Sequence, residues 1–380
     1  MQSTPQRDAG PGPHGPDAAV RPLPSPHAVK SRHALSQADR LFVSRTRTST
    51  VNVLRGRDPR LLAIVGPCSV HRVDEALDYA DRLATLAHSL DDALLVLMRV
   101  YIEKPRTTVG WRGLAVDPAL DGSRGPDDGL EESRRLMLGV TQRGVGVATE
   151  SLDPFVLPYV DDLLSFTSIG ARTVTSQTHR QMAAAVGCPV GVKNAVCGSV
   201  ALAADAAVSI AEPQWVLGLD EDGRAACRFV SGNGDAALVL RGGEPGPNYA
   251  SADQHAARAA LAARGVTDAV LVDCSHGNSG KVARNQLDVV SSVVLQIDQG
   301  DQPPNGIMLE SQLQHGRQTV GPDGALAPGV SITDECLGFD ETAEALAGLA
   351  AAVRRARVRD SALEPSRGVN PPTTLSPQSA

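Results

Sequence analysis

The chain has 380 residues, 42% of them hydrophobic and only 3% aromatic, with a formal net charge of −7. That length suits one large barrel with additions or two domains, and the acidic balance leaves no excess of positive charge for a nucleic-acid backbone, so nucleic acid is not an expected partner. Six scattered cysteines without a CxxC pair, a proline-rich start without an apolar leader and no run of 18 apolar residues predict a cytoplasmic protein that does not enter a membrane.

Residues 1–33 hold seven prolines and no apolar periodicity, which predicts a disordered tail. A polar-amphipathic stretch follows, and Ala34 to Val53 is expected to form a helical arm. Short apolar runs then recur at 61–65, 94–100, 145–149, 162–169, 189–192, 237–240, 269–272 and 306–309. Their length and continuous apolarity suit parallel strands buried on both faces. Helical patterns fall between or after them at 74–90, 129–143, 152–161, 176–186, 198–211, 251–264, 281–298 and 340–356. Asp153–Pro154 and Ser251 are read as opening two of these helices. Residues 214–231 interrupt the rhythm with alternating polarity around Asp222-Gly223, expected to be an inserted β-hairpin with a type I′ turn ahead of strand six. Eight strand–helix units predict an α/β fold of the (β/α)8 TIM-barrel type spanning 34–359, with 360–380 as a second disordered tail. A doubly wound sheet is the weaker alternative, because no GxGxxG follows the first strand.

A barrel enzyme carries its chemistry at the C-terminal ends of its strands. Here the eight runs lead into Cys68, Arg99 with Lys104 and Arg106, Glu150, Arg172, Lys193, Arg241, Asp273 with His276, and Glu310. Any one of these cations is more often a surface charge. Arg99, Lys104, Arg106, Arg172, Lys193 and Arg241 converging on one rim ask for anions, such as two phosphates and a carboxylate. Cys68, His276, Glu310 and Asp334 together offer a thiolate, an imidazole and two carboxylates, a plausible divalent-metal set. The other five cysteines are read as ordinary apolar thiols, and His71 stays ambiguous.

These residues lie in GPCSVH (66–71), RVYIEKPRTTVGW (99–111), GAR (170–172), CPVGVKN (188–194), SGNGD (231–235), LRGG (240–243), DCSHGNS (273–279), MLES (308–311) and SITDE (331–335). From about residue 34 to 357 the chain resembles the type I 3-deoxy-arabino-heptulosonate-7-phosphate (DAHP) synthases. The resemblance implies condensation of phosphoenolpyruvate with erythrose 4-phosphate and water, the first step of the shikimate pathway. It implies that Cys68, His276, Glu310 and Asp334 hold a divalent metal, with Mn²⁺, Fe²⁺, Co²⁺ and Zn²⁺ all open. Arg172, Arg241 and the Ala171 amide would take the phosphate of phosphoenolpyruvate, and Arg99, Lys104 and Lys193 its carboxylate. Arg106 and Thr107, with Asp334, would face erythrose 4-phosphate. Glu150 would orient a water, Lys104 would act as proton donor, and a homodimer or homotetramer is expected.

Members of that family are commonly inhibited by an aromatic amino acid bound near the inserted hairpin. Gly187 and Gly218 stand where feedback-sensitive enzymes carry side chains that shape the pocket, and the hairpin tip differs, which puts that control in doubt. Two rivals remain: a 3-deoxy-octulosonate-8-phosphate synthase using a five-carbon sugar phosphate, and a catalytically idle regulatory barrel. KPRTTVGW argues against the first, and the complete metal and cation sets argue against the second.

Overall fold

The structure, a computed structural model, describes residues 21–363 except Thr107 and positions 322 and 323. Two helices, α1 (Pro26–Arg32) and α2 (Gln37–Leu54), precede the barrel. Its strands are β1 (Leu61–Gly66), β2 (Leu94–Arg99), β3 (Gly146–Glu150), β4 (Leu164–Ile169), β5 (Val190–Lys193), β8 (Ala236–Leu240), β9 (Val270–Asp273) and β10 (Gly306–Glu310). They pair in parallel in the order β1-β10-β9-β8-β5-β4-β3-β2, and β2 closes the ring on β1. The connecting helices are α3 (Val73–Leu90), α4 (Pro126–Gln142), α5 (Gln177–Ala185), α6 (Val200–Ala211), α7 (Ser251–Ala262), α8 (Asn285–Gln299) and α9 (Phe339–Leu363). Strands β6 (Gln214–Leu219) and β7 (Ala225–Val230) form a separate antiparallel ribbon. The protein is a (β/α)8 barrel with the hairpin inserted before the sixth barrel strand.

The two-residue alternation of a strand divides the core. Leu62, Ile64, Leu95, Leu97, Phe166, Val239, Leu271 and Met308 fill the barrel interior, whereas Ala63, Val65, Val96 and Met98 belong to the larger layer under the helices. The C-terminal end of α2 plugs the bottom: Val53 and Leu54 join the interior cluster, and Asn305 Nδ2 donates to both of their carbonyls. Burying each side chain is worth roughly 1.5–3 kcal/mol. Closing the lower end leaves the upper end as the open mouth.

The structure corrects several expectations. The stretch 152–161 is not an α-helix but two 3-10 turns, Leu157–Tyr159 and Asp161–Leu163. Pro154 and Pro158 explain this, since each removes an N–H and restricts the residue before it. The hairpin turn is not type I′, because Gly223 has φ +81° and Asp222 does not share the left-handed region. Gly223 N donates to Asp220 O while Asp220 Oδ1 accepts from the amides of Asp222 and Arg224, so the aspartate side chain shapes the turn. Helix α7 begins at Ser251 itself, with Ala250 as the N-cap residue.

Parts of both expected tails are ordered. Residues 26–32 form α1, capped by Ser25 Oγ, and Val29 is fully buried. The arm's polar groups find distant partners: Tyr159 donates to Pro24 O, His27 N donates to Glu221 O, and Arg134 Nε donates to His33 O. At the other end α9 runs to Leu363, held by Arg354 on Asp92 and Arg355 on Asp298. Long-range pairing of this kind leaves no mark in local composition. Residues 1–20 and 364–380, the rest of the expected tails, lie outside the described residues. No helix among the described residues is long and apolar enough to cross a membrane.

Candidate active site

The end of β1 turns at Gly66 (φ +152°), where a Cβ would stand 2.8 Å from the Arg99 carbonyl oxygen. Only glycine lets the two strand ends approach this closely. The turn delivers Cys68, which is fully buried and accepts a hydrogen bond from Asp334 N at 3.4 Å. Ser69 Oγ lies 2.7 Å from Thr333 Oγ1, which ties the same loop to the segment carrying Asp334. Across the closing strand pair, Glu310 is fixed through its own peptide: Gln286 accepts from Glu310 N and donates to Glu310 O.

The ligand atoms of Cys68, Glu310 and Asp334 lie within 4.8 Å of one another. His276 stands beside them, with Nε2 3.7 Å from Glu310 Oε1 and Nδ1 2.9 Å from Asp273 Oδ2. Asp273 thus orients the ring, as a carboxylate behind a metal-bound imidazole does. His276 adopts φ +58°, a left-handed conformation that the surrounding bonds must hold. Burial, reinforced by the charge of Glu310, pushes the Cys68 thiol up to about 11. Asp334 stays ionised for the opposite reason: Lys104, His276, Lys281 and Arg317 outweigh its burial and hold it low. Two carboxylates, a thiol and an imidazole brought this close could hold a cation, and the S, N and O donors suit a divalent ion of intermediate softness.

Lys104, Arg106, Arg172, Lys193 and Arg241 line one cavity of about 390 Å³ at the barrel mouth, with Ala171, Glu150, His276 and Asp334. Arg99 is the sixth expected cation, buried and stacked 4.0 Å from the Tyr101 ring that also lines the cavity. Its Nη2 donates to Glu310 Oε1 at 2.9 Å, while Nε and Nη1 have no hydrogen-bond partner among the described residues. Unpartnered N–H groups on a buried guanidinium leave two donors for an anion.

Lys193 Nζ lies 2.9 Å from Glu150 Oε2 and 3.8 Å from Asp273 Oδ2. Burial opposes the charge of Glu150, but Lys193 overcomes it, with help from Lys104 and His276, and holds the carboxyl below its usual range. Burial likewise works against Lys104, while the Cys68 sulfur and Glu310 pull its ammonium the other way and raise it. Arg106 is exposed, and its Nε donates to Trp111 O at 2.9 Å. Thr107, expected beside it, lies outside the described residues.

Tyr101 and Lys281 are among the cavity residues that sequence reasoning missed. Tyr101 gathers Arg99, Lys104 and Lys193 around its ring, and its place inside RVYIEKPRTT was the available signal. Lys281 lines the cavity with φ +65°. It sits in a loop well past its strand end, so the strand-end rule did not reach it.

The family model for the DAHP synthetase I family matches residues 35–347. The chain belongs to the DAHP synthetase I family. Among its relatives in that family, the Tyr-sensitive phospho-2-dehydro-3-deoxyheptonate aldolase of Escherichia coli K12 is 42% identical over 89% of this chain and 94% of its own length. The Phe-sensitive enzyme of the same organism is 40% identical over 89% and 96%. A solved phospho-2-dehydro-3-deoxyheptonate aldolase from Francisella tularensis SCHU S4 superposes with a TM-score of 0.87 at 36% identity, covering 89% of this chain and 99% of that one.

The DAHP synthetase I chain has a second cavity, of about 370 Å³, between the hairpin and the 3-10 turns, lined by Pro154, Asp161, Met182, Gly218, Glu221 and Cys227 among others. A Cβ at Gly218 would meet nothing within 4 Å. Gly187 does not line this cavity; it lies on the open groove beside α2, near Arg47.

Proposed function

We propose that the protein is a 3-deoxy-7-phosphoheptulonate synthase, condensing phosphoenolpyruvate with erythrose 4-phosphate and water to give DAHP and inorganic phosphate. The observation that carries this reading is the single mouth cavity in which cations line the wall beside a thiol–carboxylate cluster. A divalent ion held by Cys68, His276, Glu310 and Asp334 would supply Lewis acidity at the aldehyde oxygen. Mn²⁺, Fe²⁺, Co²⁺ and Zn²⁺ all suit that donor set.

The rest of the chemistry belongs to the chain's own groups. Arg172, Arg241 and the Ala171 amide bind the phosphate of phosphoenolpyruvate, and Arg99, Lys104 and Lys193 bind its carboxylate. Arg106 and Thr107 take the phosphate of the aldose, with Asp334 beside its reacting end. C3 of phosphoenolpyruvate forms the new bond to the aldehyde carbon, leaving positive character at C2. Glu150 is ionised, as its pairing with Lys193 favours. It orients a water and accepts its proton as the oxygen adds to C2. Lys104 protonates the alkoxide formed from the aldehyde, and the C2–O bond to phosphate then breaks.

The reading also includes a cytoplasmic location, in keeping with six cysteines that are all free, and a homodimer or homotetramer. In support of self-association, Trp215, Leu217 and Phe229 expose an apolar face on the ribbon. Tyrosine and phenylalanine, to which two of the relatives are sensitive by name, are proposed to act weakly here, since Gly218 leaves the hairpin cavity unshaped.

The test is phosphate release from phosphoenolpyruvate with erythrose 4-phosphate, with and without chelator, and with arabinose 5-phosphate in its place. Turnover should require erythrose 4-phosphate and vanish on chelation. Lys104→Ala should cost about 10²–10⁴ in kcat; near-wild-type turnover would remove it from the proton-donor role.

A further inference from the structure

The two arginines proposed to take the phosphate of phosphoenolpyruvate are anchored differently. Arg172 sits in a turn closed on itself, where Thr173 N donates to Gly170 O and Gly170 N donates to Thr173 Oγ1. Arg241, the first residue beyond β8, is braced from both neighbouring strand ends and from its own loop. Its N–H donates to Asn194 Oδ1 at 2.8 Å, and its carbonyl accepts from Gly277 N at 3.0 Å. The next N–H, that of Gly242, donates to Asn248 Oδ1 at 2.6 Å, and the Gly242 carbonyl accepts from Asn194 Nδ2 at 2.8 Å. Every backbone donor and acceptor of the Arg241–Gly242 pair is thus satisfied, three of the four by asparagine side chains.

The asparagines are themselves joined. Asn248 Nδ2 donates to Asn194 Oδ1 at 3.2 Å, and Asn248 N donates to Asn278 Oδ1 at 2.8 Å. Asn278 Nδ2 in turn donates to the carbonyls of Leu240 and Asp273, the last residues of β8 and β9. A backbone N–H only donates and a backbone carbonyl only accepts, so these partners fix which way the Asn194 and Asn278 amides point. Asn194 follows Lys193 at the end of β5, and Asn278 lies two residues past His276. The lattice therefore ties together the segments that carry Lys193, Arg241 and His276. Glycine allows the close approach: Gly242 has φ +74°, and a Cβ there would stand 2.4 Å from Gly277 C.

We infer that Asn194, Asn248 and Asn278 are positioning residues that set Arg241 relative to Lys193, and so fix the spacing at which one substrate's phosphate and carboxylate are gripped. The inference rests on the proposed condensation, in which both groups belong to phosphoenolpyruvate. Arg106, proposed to take the aldose phosphate, is held instead within its own loop, where its Nε donates to Trp111 O. Loosening the lattice therefore weakens phosphoenolpyruvate binding and leaves erythrose 4-phosphate nearly untouched.

The experiment is steady-state kinetics on the full chain with each substrate varied, for Asn194→Ala, Asn248→Ala, Arg241→Ala and the double variant of the last two. Asn194→Ala should raise the KM for phosphoenolpyruvate about tenfold or more, since an ångström of misplacement can cost about 100-fold, and leave that for erythrose 4-phosphate within about twofold. Asn248→Ala removes only the Gly242 and Asn194 bonds and should show the same split at about threefold. It should add little once Arg241 is alanine, because the lattice acts through that one guanidinium. Asn194 is fully buried, so if Asn194→Ala does not fold, the half-buried Asn248 carries the comparison.

Equal KM changes for both substrates, an unchanged KM for phosphoenolpyruvate, or an Asn248→Ala loss that persists in full without Arg241 would each overturn the positioning role. A wild-type chain inactive on the two substrates would instead overturn the proposed condensation, so the two failures are distinguishable.

Discussion

At the barrel mouth Arg99, Lys193 and Glu150 are almost wholly buried yet charged, while on the hairpin Trp215, Leu217 and Phe229 are apolar yet 62%, 78% and 60% exposed. The two regions invert the usual sorting of residue types for different reasons. Charges at the mouth are held by one another, Arg99 on Glu310 and Lys193 on Glu150, and the His276 ring stands against Asp273. Removing one partner there strands the other in a low-dielectric site. The hairpin's exposed residues meet mainly each other, as in the edge-to-face Trp215–Phe229 pair. A substitution there should stay local. The comparison separates positions where chemistry is coupled from positions where surface is merely available.

The strongest way to break it is Cys68→Ala. Loss of this sulfur removes the acceptor for Asp334 N. Turnover should fall by about 100-fold or more together with divalent-metal affinity, since even outer partners of metal sites cost about 10–100-fold. The barrel should persist, because one sulfur atom is a small part of its core. Metal titration by calorimetry beside thermal unfolding checks both halves. Unchanged metal binding would mean that the mouth is less coupled than its bonding indicates.

How much of this was legible beforehand depended on the range of the interaction involved. The eight strands follow from continuous apolar runs, and their ends fell within a residue or two of expectation, because burial on both faces leaves a purely local signal. Cys68, Glu310 and Asp334 are far apart in the chain, and only their places at strand ends or in the following loop suggested a meeting, which the structure shows for those three, with His276 alongside. Lys281 and Tyr101 were missed, as was the docking of α1 on Glu221. Each depends on a loop path or a distant partner, and composition carries neither.

A smaller effect tests the charge coupling through stability. Burial raises the Glu103 carboxyl to about 8, against an ordinary value of about 4.3 in the unfolded chain. Between those values the folded protein binds more protons than the unfolded one, so stability falls as pH rises across that window and is level above it. Glu103→Gln removes the titration. The melting-temperature gap between variant and wild type should therefore shift in the variant's favour from pH 5 to pH 8.5, at about 1–2 °C per kcal/mol for a chain of this length. A gap independent of pH would place Glu103 in an exposed, uncoupled setting.

The smallest expected effect belongs to the hairpin cavity. Two of its three acids, Asp161 and Glu221, are already joined by Lys30 Nζ at 2.9 Å to each. The ammonium group of a free amino acid would have to displace that lysine, and Gly218 offers its side chain no wall. Phenylalanine, tyrosine and tryptophan, each at about 1 mM, should therefore change turnover less than about twofold, a difference of only ~0.4 kcal/mol. Lys30→Ala sharpens the point by freeing both carboxylates. If sensitivity emerges only in that variant, the docked N-terminal arm is what closes the cavity. If the wild type is already strongly inhibited, the hairpin is coupled to the mouth after all, and the division between the two regions fails.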